Sequence, residues 1–214
     1  MKTLTITAIL LFTHLIIIRA QNPISVQNGG VPSFYLQVDS AIIHSQDGDT
    51  IYIPGGNWYI NQWITKRLYI IGVGHNPDST QATFPTTLIG GIMLSSAASH
   101  GSLTGVIVSS GVQAPNESVN PYTVSRCKIG SIFVHPSCSN FIFTENIIEG
   151  GVQSSLIGSS ATNFLFFNNI FYASFCCTWT GYIPIINSIF KNNIFLYSPQ
   201  NLSINTDFHK LNYL

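Results

Sequence analysis

Four stretches in the second half of this chain are variants of one phrase: Thr123-Val-Ser-Arg-Cys-Lys-Ile129, Ile142-Phe-Thr-Glu-Asn-Ile-Ile148, Leu165-Phe-Phe-Asn-Asn-Ile-Phe171 and Ile189-Phe-Lys-Asn-Asn-Ile-Phe195. With Cys127, Asn146, Asn169 and Asn193 taken as equivalent, the phrase recurs at steps of 19, 23 and 24 residues. A period near two dozen residues, rich in β-branched and aromatic side chains, marks the stacked coils of a solenoid. A single copy cannot bury its own apolar residues, so the copies must stack.

Three positions before the shared column stand Val124, Phe143, Phe166 and Phe190; two positions after it stand Ile129, Ile148, Phe171 and Phe195. In a coiled stack such positions lie above one another at the strand spacing of about 4.8 Å. Two continuous apolar columns result, each buried side chain contributing on the order of 1.5–3 kcal/mol. The column Asn146, Asn169 and Asn193 reads as a structural ladder at a bend, because Asn tolerates unusual backbone angles and its amide can bond the amide above.

Short strand-like runs continue upstream, at Thr50–Ile53, Trp58–Ile64, Leu68–Ile71, Thr87–Leu94 and Leu103–Val108. Turn signals such as Asp47-Gly48 and Pro54-Gly55-Gly56 close them, and no regular helices separate them. That pattern argues against a doubly wound α/β fold, in which parallel strands alternate with helices. The exception is the segment 34–45, where Leu36, Val38, Ala41, Ile42 and Ile43 fit a short amphipathic helix.

Residues 1–20 read as a secretory signal peptide: Lys2, an apolar run from Leu4 to Ile18, then Arg19-Ala20 before Gln21. Thr5, Thr7, Thr13 and His14 interrupt the run, which is short for a membrane span. Residues 21–33 read as a polar, mobile lead-in. No later segment is apolar enough to cross a bilayer, so the expectation is a secreted or surface-held protein with no transmembrane segment after cleavage. Charged residues make up only 7% of the chain. Removing Lys2 and Arg19 leaves 6 basic against 8 acidic residues. Without a basic patch, nucleic acid is excluded as a partner class.

An exported chain can oxidise its cysteines. Cys127, Cys138, Cys176 and Cys177 allow three pairings that sequence does not choose among. The alternative is that they are buried free thiols, packed as small apolar groups. Their spacing resembles no zinc site, and no metal is expected.

Gln46-Asp-Gly-Asp-Thr-Ile-Tyr-Ile-Pro-Gly-Gly56, the later Asn-Asn-Ile-Phe coils and Ile70-Ile-Gly-Val-Gly-His-Asn-Pro-Asp-Ser79 together resemble the pectin-lyase-like right-handed parallel β-helix superfamily. Within it, they look most like uncharacterised secreted β-helix repeat proteins of bacteria. The resemblance spans about residues 34–198. It implies an all-β, right-handed, single-stranded parallel β-helix over residues 34–200 with a short N-terminal capping helix, and the repeat spacing sets roughly six to eight coils. It also implies more coils than this chain carries. Residues 201–214 therefore read either as a rough C-terminal tail or incomplete coil, or as the sign of a truncated longer protein. The superfamily includes lyases, hydrolases, adhesins and inert modules, so fold alone assigns no chemistry.

Hydrolase relatives carry clustered Asp residues on neighbouring coils, and no such cluster stands here. The acids Asp39, Asp47, Asp49, Asp78, Glu117, Glu145, Glu149 and Asp207 are dispersed, and Asp47 with Asp49 reads as turn-shaping. Glycan hydrolysis needs two carboxylates about 5–10 Å apart on either side of one bond. A polysaccharide lyase acting on acidic glycans would need a base and cations, with calcium as cofactor in that case alone. Arg126, Lys128 and His135 are the candidates, although Arg126 aligns with Glu145 one coil on, the makings of an ordinary ion pair. His75 reads as a loop residue. Binding without catalysis asks less: Trp58, Tyr59 and Trp63 cluster early, and Trp179 later with Tyr172 and Tyr182. Aromatic faces could stack on sugar rings, although alternation sends Trp58 and Tyr59 to opposite faces. The leading expectation is a non-catalytic module binding carbohydrate or another surface polymer. A polysaccharide lyase is the first alternative, and a structural stalk or degenerate fragment the second.

Overall fold

The computed structural model describes residues 23–76, 82, 84–154, 161–172, 185–196, 207–209 and 212–213. Residues 1–20, read from sequence as a signal peptide, and Asp78, Cys176, Cys177, Trp179 and Tyr182 lie outside them.

The chain is a single-stranded parallel β-solenoid of about six turns, with one short α-helix among the described residues. Its longest sheet runs through Thr50–Tyr52, Tyr69–Ile71, Ser102–Thr104, Thr123–Ser125, Ile142–Thr144, Leu165–Phe167, Ile189–Lys191 and Asp207–His209, each parallel to the next. A second sheet stacks Gly56–Tyr59, Thr86–Ile89, Ile107–Val108, Lys128–Ile129, Ile147–Ile148, Ile170–Phe171, Ile194–Phe195 and Asn212–Tyr213. A third, of four strands, links Gly91–Met93, Gly111–Ala114, Ile132–Val134 and Val152–Ser154.

The register follows the repeat. Val124 faces Phe143, Phe143 faces Phe166 and Phe166 faces Phe190 in the long sheet. Side chains alternate between faces, so the middle residue of each three-residue strand points inward. Ile51, Ile70, Leu103, Val124, Phe143, Phe166 and Phe190 are all buried there. Leu88, Val108, Ile129, Ile148, Phe171 and Phe195 oppose them from the second sheet, and Ile92, Val112, Ile132 and Val152 from the third. In the later coils the columns turn aromatic. Phe143, Phe166 and Phe190 stack with ring centroids 5.0 and 4.6 Å apart, and Phe171 lies on Phe195 at 4.6 Å.

The bend between the long and second sheets differs from expectation by one residue. The left-handed backbone belongs to Gly105, Arg126, Glu145, Asn168 and Asn192, all with φ between 52° and 66°. The residue after each is buried, and there the asparagines form their ladder. Asn146 Oδ1 accepts the Cys127 amide at 2.9 Å, Asn169 Oδ1 the Asn146 amide at 2.9 Å and Asn193 Oδ1 the Asn169 amide at 2.8 Å. The carboxamide nitrogens donate to Val124, Phe143 and Phe166 carbonyls. The ladder therefore satisfies backbone groups that the tight bend takes out of sheet pairing.

Residues 24–27, within the stretch read as a mobile lead-in, are a strand. Ile24–Gln27 pairs antiparallel with Thr50–Tyr52 on one side and with Ser33–Tyr35 on the other. Ile24 and Val26 alternate into the core, a pattern too short to stand out in a polar sequence. This antiparallel hairpin covers the first parallel strand, which would otherwise present an unpaired edge.

The expected helix occupies Val38–His44, shorter than residues 34–45, and buries Val38, Ala41 and Ile42. Two charged side chains bind it to the first coil. Asp39 Oδ1 accepts the amides of Asn61 and Gln62, both at 3.0 Å. Lys66 Nζ donates to the carbonyls of Ile42, Ile43 and Ser45, at 3.1, 2.7 and 2.6 Å. The ammonium satisfies carbonyls that the helix end leaves unpaired.

Candidate functional site

The two functional hypotheses point to different parts of the surface. The cationic candidates Arg126 and Lys128 flank Cys127 at the bend between the long and second sheets. Arg126 is exposed because its backbone is left-handed and turns its side chain off the corner. Its guanidinium donates from Nε to Glu145 Oε2 at 2.8 Å, which holds the cation further into its charged form. Lys128 stands outward on the second sheet and pairs with Glu149 at 2.9 Å. Both pairs link one coil to the next on a solvated face, where water screens them and they add little to stability.

His135 does not join them. It follows Ile132–Val134 on the third sheet, and its ring bonds the Ser137 hydroxyl. His75 does come near: its Nδ1 lies 2.9 Å from the Arg126 carbonyl. Fifty-one residues of separation hid that contact from a linear reading. A lyase needs free cations about a uronate carboxylate, and here both bend cations already face carboxylates.

Several of the acids are likewise engaged. Asp47 accepts the Arg67 amide at 2.8 Å and pairs with its guanidinium at 3.1 Å; buried Asp49 accepts the Gln46 amide at 2.7 Å. Both shape one turn. Ser96 donates its hydroxyl and amide to Glu117, which lowers the carboxyl from the ordinary Glu range. Among the described residues no three His, Cys, Asp or Glu side chains gather as a metal site would require, and no helix is long and apolar enough to cross a membrane.

Cys127 and Cys138 are free, buried thiols. Burial pushes the Cys127 thiol up to about 12 and raises that of Cys138, so neither is a nucleophile at neutral pH.

The aromatic candidates behave differently from one another. On the strand Gly56–Tyr59, Trp58 packs against the core and its Nε1 donates to the Pro54 carbonyl at 2.9 Å. Tyr59 points the other way and is 71% exposed. Trp63 is half-buried. Three further aromatics that sequence reasoning had not singled out stand in the open in the same early part of the chain: Phe34, Tyr52 and Phe84, at 62%, 42% and 62%. Tyr52 was readable, as the outward neighbour of Ile51 and Ile53. Phe84 had no periodic context, and the hairpin that presents Phe34 was not recognised. Of the large apolar side chains that are exposed among the described residues, only Tyr172 lies after residue 90.

Compared with models of protein families, with curated proteins and with solved structures, the chain matches none.

Proposed function

We propose that this chain is a non-catalytic, secreted or surface-located β-helix module that binds carbohydrate or another surface polymer through aromatic side chains of its early coils. The observation that carries the reading is the concentration of exposed rings there: Phe34, Tyr52, Tyr59 and Phe84. Soluble proteins seldom leave several large rings in water without a use. A ring offers an apolar face to the C–H face of a sugar and, in tyrosine, a hydroxyl to its edge. Export through residues 1–20 and kinship with the pectin-lyase-like superfamily belong to the same proposal and rest on sequence motifs.

The engagement of Arg126 and Lys128 by Glu145 and Glu149 speaks against the lyase alternative. The test is retention of the chain from Gln21 onward on a panel of immobilised neutral and acidic polysaccharides. Binding that weakens at least tenfold in Tyr59→Ala or Phe84→Ala would support the reading. Folded protein retained by no polysaccharide, or equally well without these rings, would overturn it. Unsaturated uronide released from an acidic polysaccharide, with or without calcium, would replace it by the lyase.

A further inference from the structure

Two asparagines of this chain open an Asn-x-Ser triplet: Asn116-Glu-Ser118 and Asn201-Leu-Ser203, the second outside the described residues. In an exported chain such a triplet is an acceptor for N-linked sugar, provided the side chain stands on the surface. The asparagines of the repeated bends are taken up by the fold. Asn146, Asn169 and Asn193 are buried in the ladder, and Asn140, Asn163, Asn168, Asn187 and Asn192 hold left-handed corners.

Asn116 is different. It lies in an exposed bend just after the strand Gly111–Ala114, at the rim of the third sheet. The loop around it is tied down on every side. Glu117 holds Ser96, the Ser118 hydroxyl donates to the Ser137 carbonyl at 2.8 Å, and Val119 is buried. The Asn120 amide donates to the Ser99 hydroxyl at 2.9 Å, and its side-chain oxygen accepts from Asn140 at 2.8 Å. The Asn116 carboxamide alone in this loop makes no hydrogen bond within the described residues. A fixed loop thus presents one free amide to solvent, and a bulky substituent there displaces nothing.

We infer that Asn116 is an N-glycosylation site, modified when the chain passes through a secretory compartment that carries the lipid-linked sugar donor. In the transfer, Nδ2 of Asn116 bonds to the anomeric carbon of an oligosaccharide held on a lipid diphosphate. The bond from that carbon to the diphosphate oxygen breaks, the oxygen keeps the electron pair, and the amide nitrogen releases one proton. The Ser118 hydroxyl supplies the third position of the triplet. The inference rests on the export reading, and the experiment keeps the two separate.

The full chain is expressed in eukaryotic cells behind its own N-terminus, and residues 21–214 behind a leader of proven function. Each product is digested with an N-glycanase, and peptides spanning residue 116 are weighed. The leader-driven chain is expected to lose one glycan from Asn116, leaving Asp there. Asn116→Gln and Ser118→Ala each abolish that step, while Ser118→Thr and Asn201→Gln retain it. Folding of Asn116→Gln, followed by circular dichroism, should be unchanged because the native side chain is exposed and makes no hydrogen bond within the described residues. Leader-driven protein recovered from the secretory compartment with Asn116 unmodified would overturn the inference. Glycosylation of the leader-driven chain, with the native chain left in the cytosol, would sustain the site and sink the export reading alone.

Discussion

The early and late coils solve the same bend by different means. Around Gly72 and Gly105 the chain turns on glycine: a Cβ at Gly72 would lie 2.4 Å from the Gly105 carbonyl oxygen, and Gly105 has φ of 66°. From Arg126 onward ordinary residues take the left-handed position, and each is followed by a buried cysteine or ladder asparagine. The cores diverge too, with Ile51, Ile70 and Leu103 giving way to Phe143, Phe166 and Phe190. Hydrogen-bonded amides and stacked rings can compensate for backbone strain that only glycine escapes freely. The late coils are therefore held by what is inside them, while the early ones put their rings outside.

That contrast predicts a graded series. The largest loss should follow Phe166→Ala, which opens a hole between two stacked rings and should cost about 3–5 kcal/mol in urea-induced unfolding. Leu103→Ala, at the equivalent early position, should cost less; an equal or greater loss would break the claim that the late core is the stronger.

Asn169→Ala should come next. It deprives the Asn146 amide of its acceptor and the Phe143 carbonyl of a donor, at roughly 1–3 kcal/mol for each group left unsatisfied. Hydrogen exchange at the Asn146 amide reads this directly, and unchanged protection would deny the ladder its role.

Alkaline pH should weaken the fold through Cys127. Its thiol ionises near 9 when exposed but only near 12 in the fold. The unfolded chain therefore loses this proton first, so stability is intact below pH 9 and falls as pH rises toward 12. Burial raises Tyr122 in the same direction. Cys127→Ala should flatten the alkaline limb of a stability-against-pH curve; an unaltered limb would place its cause elsewhere.

The smallest effects belong to the corner. Glu145→Gly relieves a left-handed non-glycine residue, by roughly 1 kcal/mol, and loses an exposed ion pair that solvent screens. The change in melting temperature should be close to zero. Gly105→Ala, by contrast, should destabilise, because glycine is needed where no ladder compensates.

Much of this was legible in the residues. The Phe166 and Asn169 columns could be aligned by eye, because a solenoid turns sequence period into spatial stacking. Arg126 and Glu145 fell into register for the same reason. The left-handed residue was read one place late, since Asn168-Asn169 and Asn192-Asn193 offer two asparagines each and composition does not say which one bends. The hairpin Ile24–Tyr35 was missed because antiparallel pairing across a turn leaves no repeat. The aromatic surface was seen only in part: alternation separates Tyr59 from Trp58, but the exposure of Phe34 and Phe84 depends on what packs beside them.

The amino-acid sequence by itself determined the solenoid, its inward columns and its ladder, because identical residues at a fixed period can only be buried by stacking. The tertiary structure alone decided which charges meet, which rings stay in water and which asparagine stands free. His75 beside Arg126, Lys66 on the helix end and Asn116 on its anchored loop each depend on contacts between segments with no shared period. Such contacts are fixed by how coils and loops lie against one another, and no local pattern encodes them.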